Sequence, residues 1–198
     1  VAVSFPPDYG TAHAATTALL NGWTPPDAHQ RSLRRDYLQL LAEDDAALRR
    51  DGPAEHLTAS CLVLDAARAA TLLVHHAKGG FWVQPGGHWE PGDADLAATA
   101  LREATEETGL GASLRLVGLN DLHRHRLSTA FGRCRVHCDV MFLAVCDGRP
   151  APSVSPESHA VAWFDLADLP TTVVADLPAR AQSATRRPTG GDTAKRPV

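Results

Sequence analysis

The chain has 198 residues, 44% of them apolar, which suits one domain of ordinary size around a sizeable core. Its formal net charge of −4 argues against bulk attraction to a nucleic-acid polymer or an anionic membrane. No apolar run approaches the ~18 residues of a spanning helix, and no basic start followed by an apolar stretch marks a leader. The expectation is a cytoplasmic protein with no membrane partner.

Residues 1–9 have no period and read as a loose arm, whereas residues 11–21, rich in Ala, Thr and Leu, read as a helix. Thr24-Pro25-Pro26-Asp27 reads as a second helix start, with a threonine cap, prolines in the first turn and an early acid. Leu33, Tyr37, Leu40, Leu41 and Leu48 then recur at helical spacing until Asp51-Gly52-Pro53. Residues 1–54 are thus expected to be an N-terminal arm with helices packed on the flank of a domain spanning 55–182. That domain opens with two apolar runs, 57–65 and 71–76, around Asp65-Ala66-Ala67-Arg68, which reads as a hairpin. Phe81-Trp82-Val83 is a short strand before a glycine turn, and residues 112–127 look extended. Arg133 to Val145 is the longest strand candidate. A Pro/Ser-rich loop at 149–156 precedes a strand from Ala160 to Phe164, and residues 175–182 read as helical. The tail, 183–198, is rich in Arg, Thr, Gly and Pro and reads as disordered. Strands with helices before, between and after imply an α/β layered fold.

Cys61, Cys134, Cys138 and Cys146 read as free thiols. On one extended strand, Cys134 and Cys138 would sit ~13 Å apart at ~3.3 Å per residue, too far for a disulfide or a shared zinc. They read as small apolar strand residues.

Most of the chemistry lies between Gly86 and Leu110. A glycine turn leads into a helix on which Glu103, Glu106 and Glu107 stand at i, i+3 and i+4, projecting from one side. Carboxylates held so close repel one another unless a cation lies between them, and hard divalent ions such as Mg2+ take such oxygen ligands beside substrate phosphates. Leu96, Ala97, Ala100, Leu101, Ala104 and Thr108 form the packing face, roughly 130° from the acids at ~100° per residue. Asp93 or Asp95 can cap the helix, and Gly109 fits the left-handed position that ends it. Arg102 and Glu106 form an i,i+4 pair, in which the guanidinium softens the repulsion. Bare backbone at Gly86-Gly87 can approach a phosphate or offer a carbonyl to a metal.

This segment resembles the signature of the Nudix hydrolases. Their pattern is a Gly, five residues, a Glu, seven residues, then Arg-Glu-aliphatic-x-Glu-Glu-x-Gly-aliphatic. Gly87 begins it here, and Arg102-Glu103-Ala104-Thr105-Glu106-Glu107-Thr108-Gly109-Leu110 completes it. Asp93 stands where the family has Glu, and eight residues separate it from Arg102; Asp95 is the other claimant to that role. Phe81-Trp82-Val83-Gln84-Pro85-Gly86-Gly87-His88 looks like a bacterial subgroup with Trp-x-Gln-Pro-Gly-Gly-His before the helix. His137-Cys138-Asp139-Val140-Met141-Phe142-Leu143 is similar to the same subgroup's later central strand.

The resemblance implies an α/β/α sandwich with a mixed sheet, and hydrolysis of a diphosphate in a nucleoside diphosphate linked to another moiety. It implies Mg2+ (or Mn2+) on Glu103, Glu106, Glu107 and the Gly86 carbonyl. Arg102 counts with the catalytic group, and the general base is Glu106 or Glu157. A homodimer is compatible with it. Candidate substrate residues are Gly87, His88, Trp89, Arg124, Arg126 and His137. Trp89, in the glycine loop, is a better base-stacking candidate than Trp82, Phe131 or Trp163. On a strand, His123 and His125 share one face and Arg124 and Arg126 the other; Arg133, Arg135, His137 and Asp139 also share a face. These are either a phosphate-binding face or a solvated basic one. No set of histidines shows metal-ligand spacing, so a histidine zinc site is not expected. The other functions weighed are hydrolysis of a non-nucleotide diphosphate, such as a prenyl one, and a non-catalytic nucleotide sensor.

Overall fold

The computed structural model describes residue 6 and residues 8–128, 133–156 and 158–186. The residues outside these bounds include Glu157 and Phe131, and most of the arm and tail read from the sequence.

Helix α1 spans Tyr9–Gly22 and α2 spans Ala28–Glu43. The cap of α2 is Asp27 rather than Thr24: its backbone is extended and its carboxylate accepts from Gln30 N at 2.8 Å. The two prolines explain the shift, because Pro26 biases Pro25 away from helical geometry. The helix also ends before Leu48. The Asp44 side chain accepts from Ala46 N at 2.8 Å, a local turn that competes with helical continuation. Leu33, Tyr37 and Leu41 form the buried face of α2, while Leu48, beyond its end, is buried with its backbone N–H on the Tyr9 hydroxyl.

The strands are β1 (Glu55–Asp65), β2 (Ala70–His76), β3 (Trp82–Val83), β4 (Gly86–Gly87), β5 (Leu114–Arg126), β6 (Val136–Cys146) and β7 (Ser158–Asp165). They form a seven-stranded sheet in the order β3-β2-β1-β6-β5, with β4 added on β1 and β7 on β2. With the helices, this mixed sheet makes an α/β fold. Helix α3 spans Leu96–Thr108 and α4 Leu177–Thr185. Helix α4 therefore includes Ser183 to Thr185, which the sequence assigned to the tail. Among the described residues no helix is long and apolar enough to cross a membrane.

Two compact units divide the chain. The first comprises Val1–Ser60, Gly86–Glu103 and Leu119–Phe142; the second comprises Cys61–Pro85, Ala104–Gly118 and Leu143–Val198. In the first, α1 packs with α2 and the Gln30 side chain bonds both backbone groups of Leu122. In the second, β2 pairs antiparallel with β7 from Ala70↔Asp165 to His76↔Ser158. The β1–β2 turn there is held by Asp65, whose Oδ1 accepts from Ala69 N and Ala70 N and whose Oδ2 accepts from Arg149. Arg68 in this turn takes the left-handed conformation, φ 54°.

Candidate active site

The glycine turn is built against β1. Gly86 pairs with Ser60 and Gly87 with Ala59. A Cβ on Gly86 would collide with the Ser60 Cβ and the Ala59 carbonyl, so only glycine allows this approach. A Cβ on Gly87 would overlap the Glu103 carboxylate. Fold and sequence pattern thus bring Gly86, Gly87 and Glu103 together.

Helix α3 is apolar where expected, with Leu96, Ala100 and Ala104 fully buried. Glu103 and Glu107 are half-buried and Glu106 is exposed. The helix is regular across all three, so they keep their one-sided spacing. At its end Gly109 has φ 71° and donates to the Thr105 carbonyl at 2.8 Å.

Asp95 and Asp93 divide the two acidic roles. Asp95 caps α3, its Oδ1 accepting from Ala98 N at 2.8 Å. Asp93 is buried and accepts from Arg102 Nε at 3.1 Å and 3.2 Å, from Arg102 Nη2 at 3.1 Å, from the Thr99 hydroxyl at 2.9 Å and from Glu90 N at 3.1 Å. The same guanidinium meets the Glu103 carboxylate at 3.1 Å and donates to the His88 carbonyl at 2.8 Å. Arg102 is therefore a clamp joining Asp93, Glu103 and the glycine loop.

Trp89 does not fit the stacking role. It is 5% exposed, its indole N–H donates to the Asp93 carbonyl at 2.9 Å, and its ring meets Tyr9 edge-on at 5.1 Å. These contacts make it the packing anchor of the loop. It also borders a cavity of about 470 Å³ lined by Arg49, Arg50, Arg133 and Cys134 among others.

The basic residues of β5 are also placed differently. Arg124 faces out and forms a two-point ion pair with Glu55, at 2.6 Å and 2.7 Å. The Arg124 hydrogen bond holds the Glu55 carboxyl below its usual range against the effect of burial. Arg126 is exposed. Arg133 and Arg135 precede β6, which starts at Val136. Asp139 is buried and accepts from the Ser60 hydroxyl at 2.6 Å and the Thr58 hydroxyl at 3.3 Å, which suits a structural anchor.

His88 and His137, expected to touch substrate, instead face one another and His56. The three ring centroids are 5.1 Å (His56–His88), 5.2 Å (His56–His137) and 5.0 Å (His88–His137) apart. Burial pushes the His88 imidazolium pKa down to about 3 and that of His137 to about 2, and it lowers that of His56; the positive charge of Arg50 acts in the same direction on all three. Cys134, also buried, completes a group whose ligand atoms all lie within 4.8 Å of one another. The sequence did not reveal this group, because His56, His88 and the Cys134–His137 stretch come from three separate segments. All four cysteines are free and buried.

The NUDIX domain family matches residues 54–186, and the chain belongs to that family. It is a Nudix-type pyrophosphohydrolase. Its fold is similar to that of the C. elegans Ap4A hydrolase in a binary complex, at 18% identity over 65% of this chain and 94% of that one, with a TM-score of 0.53. A NUDIX-family hydrolase from Clostridium perfringens is 23% identical over 65% of this chain and 95% of that one, with a TM-score of 0.53. The MutT protein from Methanosarcina mazei Go1 is 19% identical over 69% and 96%, with a TM-score of 0.55. None of the curated proteins compared matches the sequence.

Proposed function

We propose that the chain hydrolyses a diphosphate linkage in a nucleoside diphosphate joined to a second moiety, with Mg2+ (or Mn2+) held by Glu103, Glu106, Glu107 and the Gly86 carbonyl. The observation that carries this reading is the seating of the Glu103 carboxylate against the bare Gly87 backbone, with Arg102 clamped between Glu103 and Asp93. The donor set fits the ion: carboxylate and carbonyl oxygens suit Mg2+ or Mn2+ and not a soft metal. When bound, a divalent cation there neutralises charge developing on phosphate oxygens and acidifies water.

The remaining work belongs to side chains and backbone. Gly86 and Gly87 leave room for the diphosphate to approach the chain. Arg102 keeps Glu103 aimed at that approach, and Asp93 keeps Arg102 from wandering. A carboxylate, Glu106 or Glu157, takes the proton of the attacking water as its oxygen bonds to phosphorus. The bond from that phosphorus to the bridging oxygen breaks, and the departing phosphate leaves with the electron pair.

The test is a phosphate-release screen over nucleoside triphosphates, dinucleoside polyphosphates, nucleotide sugars, ADP-ribose and prenyl diphosphates, with and without Mg2+. Metal-dependent turnover of a nucleotide class is expected. Turnover of prenyl diphosphates alone would replace the substrate assignment. Tight binding of one compound with no turnover of any would overturn catalysis in favour of a sensor.

A further inference from the structure

We propose that His56, His88, Cys134 and His137 form a four-ligand structural zinc site, chemically distinct from the carboxylate helix. One ligand atom from each lies within 4.8 Å of all the others. A regular tetrahedron with that edge has its centre about 2.9 Å from each corner. Closing it to Zn–N of ~2.0–2.1 Å and Zn–S of ~2.3 Å takes inward shifts of less than about 1 Å. One pair needs almost no shift: His56 Nε2 and His88 Nε2 are 3.1 Å apart, against roughly 3.3 Å for two nitrogens on one tetrahedral zinc.

The tautomer of His56 also suits a ligand. Its Nδ1 lies 2.8 Å from the Pro53 carbonyl, to which it can only donate. That leaves Nε2 with its lone pair aimed into the group, the outer-shell arrangement common for metal-bound histidines. His137 supplies an independent observation: its Nε2 is buried with no hydrogen-bond partner among the described residues. A buried ring nitrogen without a partner is costly unless something bonds it, and it lies in the same ring triangle. A packed trio of neutral histidines would give similar ring distances but would leave that nitrogen unmatched.

The donor chemistry selects the ion. Three imidazoles and one thiolate are a borderline-soft set that favours Zn2+ over Mg2+ or Ca2+, and four protein ligands close the coordination shell, as in structural rather than catalytic sites. Cys134 also lines the cavity of about 470 Å³. Bound there, zinc would tie the start of β1, the residue after Gly87 and the entrance to β6 to one point. It would fix the glycine turn without touching the reacting phosphate.

The test uses the full chain, produced without a metal-affinity tag. Elemental analysis after dialysis should find about one zinc per chain, and the same in a Glu103→Gln/Glu106→Gln/Glu107→Gln variant. Cobalt exchanged into the unaltered chain should show the visible bands of a tetrahedral site together with a near-ultraviolet thiolate-to-cobalt band. Cys134→Ser should lose that thiolate band, and His137→Ala should weaken zinc binding about tenfold or more in competition with a chromophoric chelator. Failure of the unaltered chain to bind either metal at micromolar concentration overturns the proposal. Loss of zinc in the triple glutamine variant, or a thiolate band that persists in Cys134→Ser, overturns it equally. The cobalt spectrum of the unaltered chain decides the matter even where a variant does not fold.

Discussion

Asp93 is one methylene shorter than the glutamate of the family pattern, and one extra residue separates it from Arg102. The two departures compensate: the longer loop lets the shorter carboxylate reach the guanidinium, where it accepts from both Nε and Nη2. The sequence left Asp93 and Asp95 interchangeable, because either can cap a helix. Burial and the contacts to Arg102 and Thr99 separate them. Asp93→Asn leaves Arg102 facing a neutral group in a mostly buried setting and should cost about 1–3 kcal/mol of stability, with a matching loss of turnover as Glu103 loses its support. Thermal unfolding and kcat measured on the same preparation check this. Glu107→Gln gives the opposite pattern. Its stability should stay within about 0.5 kcal/mol, while Mg2+-supported turnover falls by several orders of magnitude. Near-full activity of that variant would remove Glu107 from the metal ligands.

The elements were legible where their signals are local. Helical spacing, the Gly109 stop and the apolar runs predicted α3, β1 and β2 to within a few residues, whereas α2 ends at Glu43, well before the Asp51-Gly52-Pro53 stop read from the sequence. Their ends shifted where a side chain outcompeted the pattern, as Asp27 and Asp44 do around α2. The β1–β2 turn shows the same force. Burial would raise the Asp65 carboxyl, but the Ala70 and Ala69 backbone donors and the Arg149 guanidinium outweigh it and hold its pKa below the usual value. A carboxyl depressed in the folded state contributes stability above its unfolded pKa of ~3.9, and that contribution is lost as pH falls through the folded value. Asp65→Asn, which never titrates, should therefore lower the urea midpoint at pH 7. The gap from the unaltered chain should narrow as pH falls below about 4. A gap independent of pH between 7 and 3 would show that the carboxylate charge plays no part in holding the turn.

At the scale of the whole molecule, the family signature was readable because the Nudix box is contiguous and its spacing is set by one helix. The histidine–cysteine group was not. His56 begins one strand, His88 follows a glycine turn, and Cys134 and His137 straddle the start of another strand, so their meeting depends on long-range pairing that no local period encodes. The same fact explains why His88 and His137 read as substrate residues: both lie in stretches that resemble the family, and only the fold shows them turned toward His56. An ion holding three distant segments together acts on the unfolding equilibrium of the chain. Zinc that binds only the folded state stabilises it by about 2.7 kcal/mol at a free concentration one hundred times its Kd. For a chain of this length, 1 kcal/mol moves Tm by about 2–4 °C, so zinc should raise Tm by roughly 5–11 °C over chelator-treated protein. Cys134→Ser should lose most of that rise, and Mg2+ should not reproduce it, because Mg2+ disfavours imidazole and thiolate ligands. A chelated chain whose Tm is unmoved by saturating zinc would show that the four side chains pack without a metal.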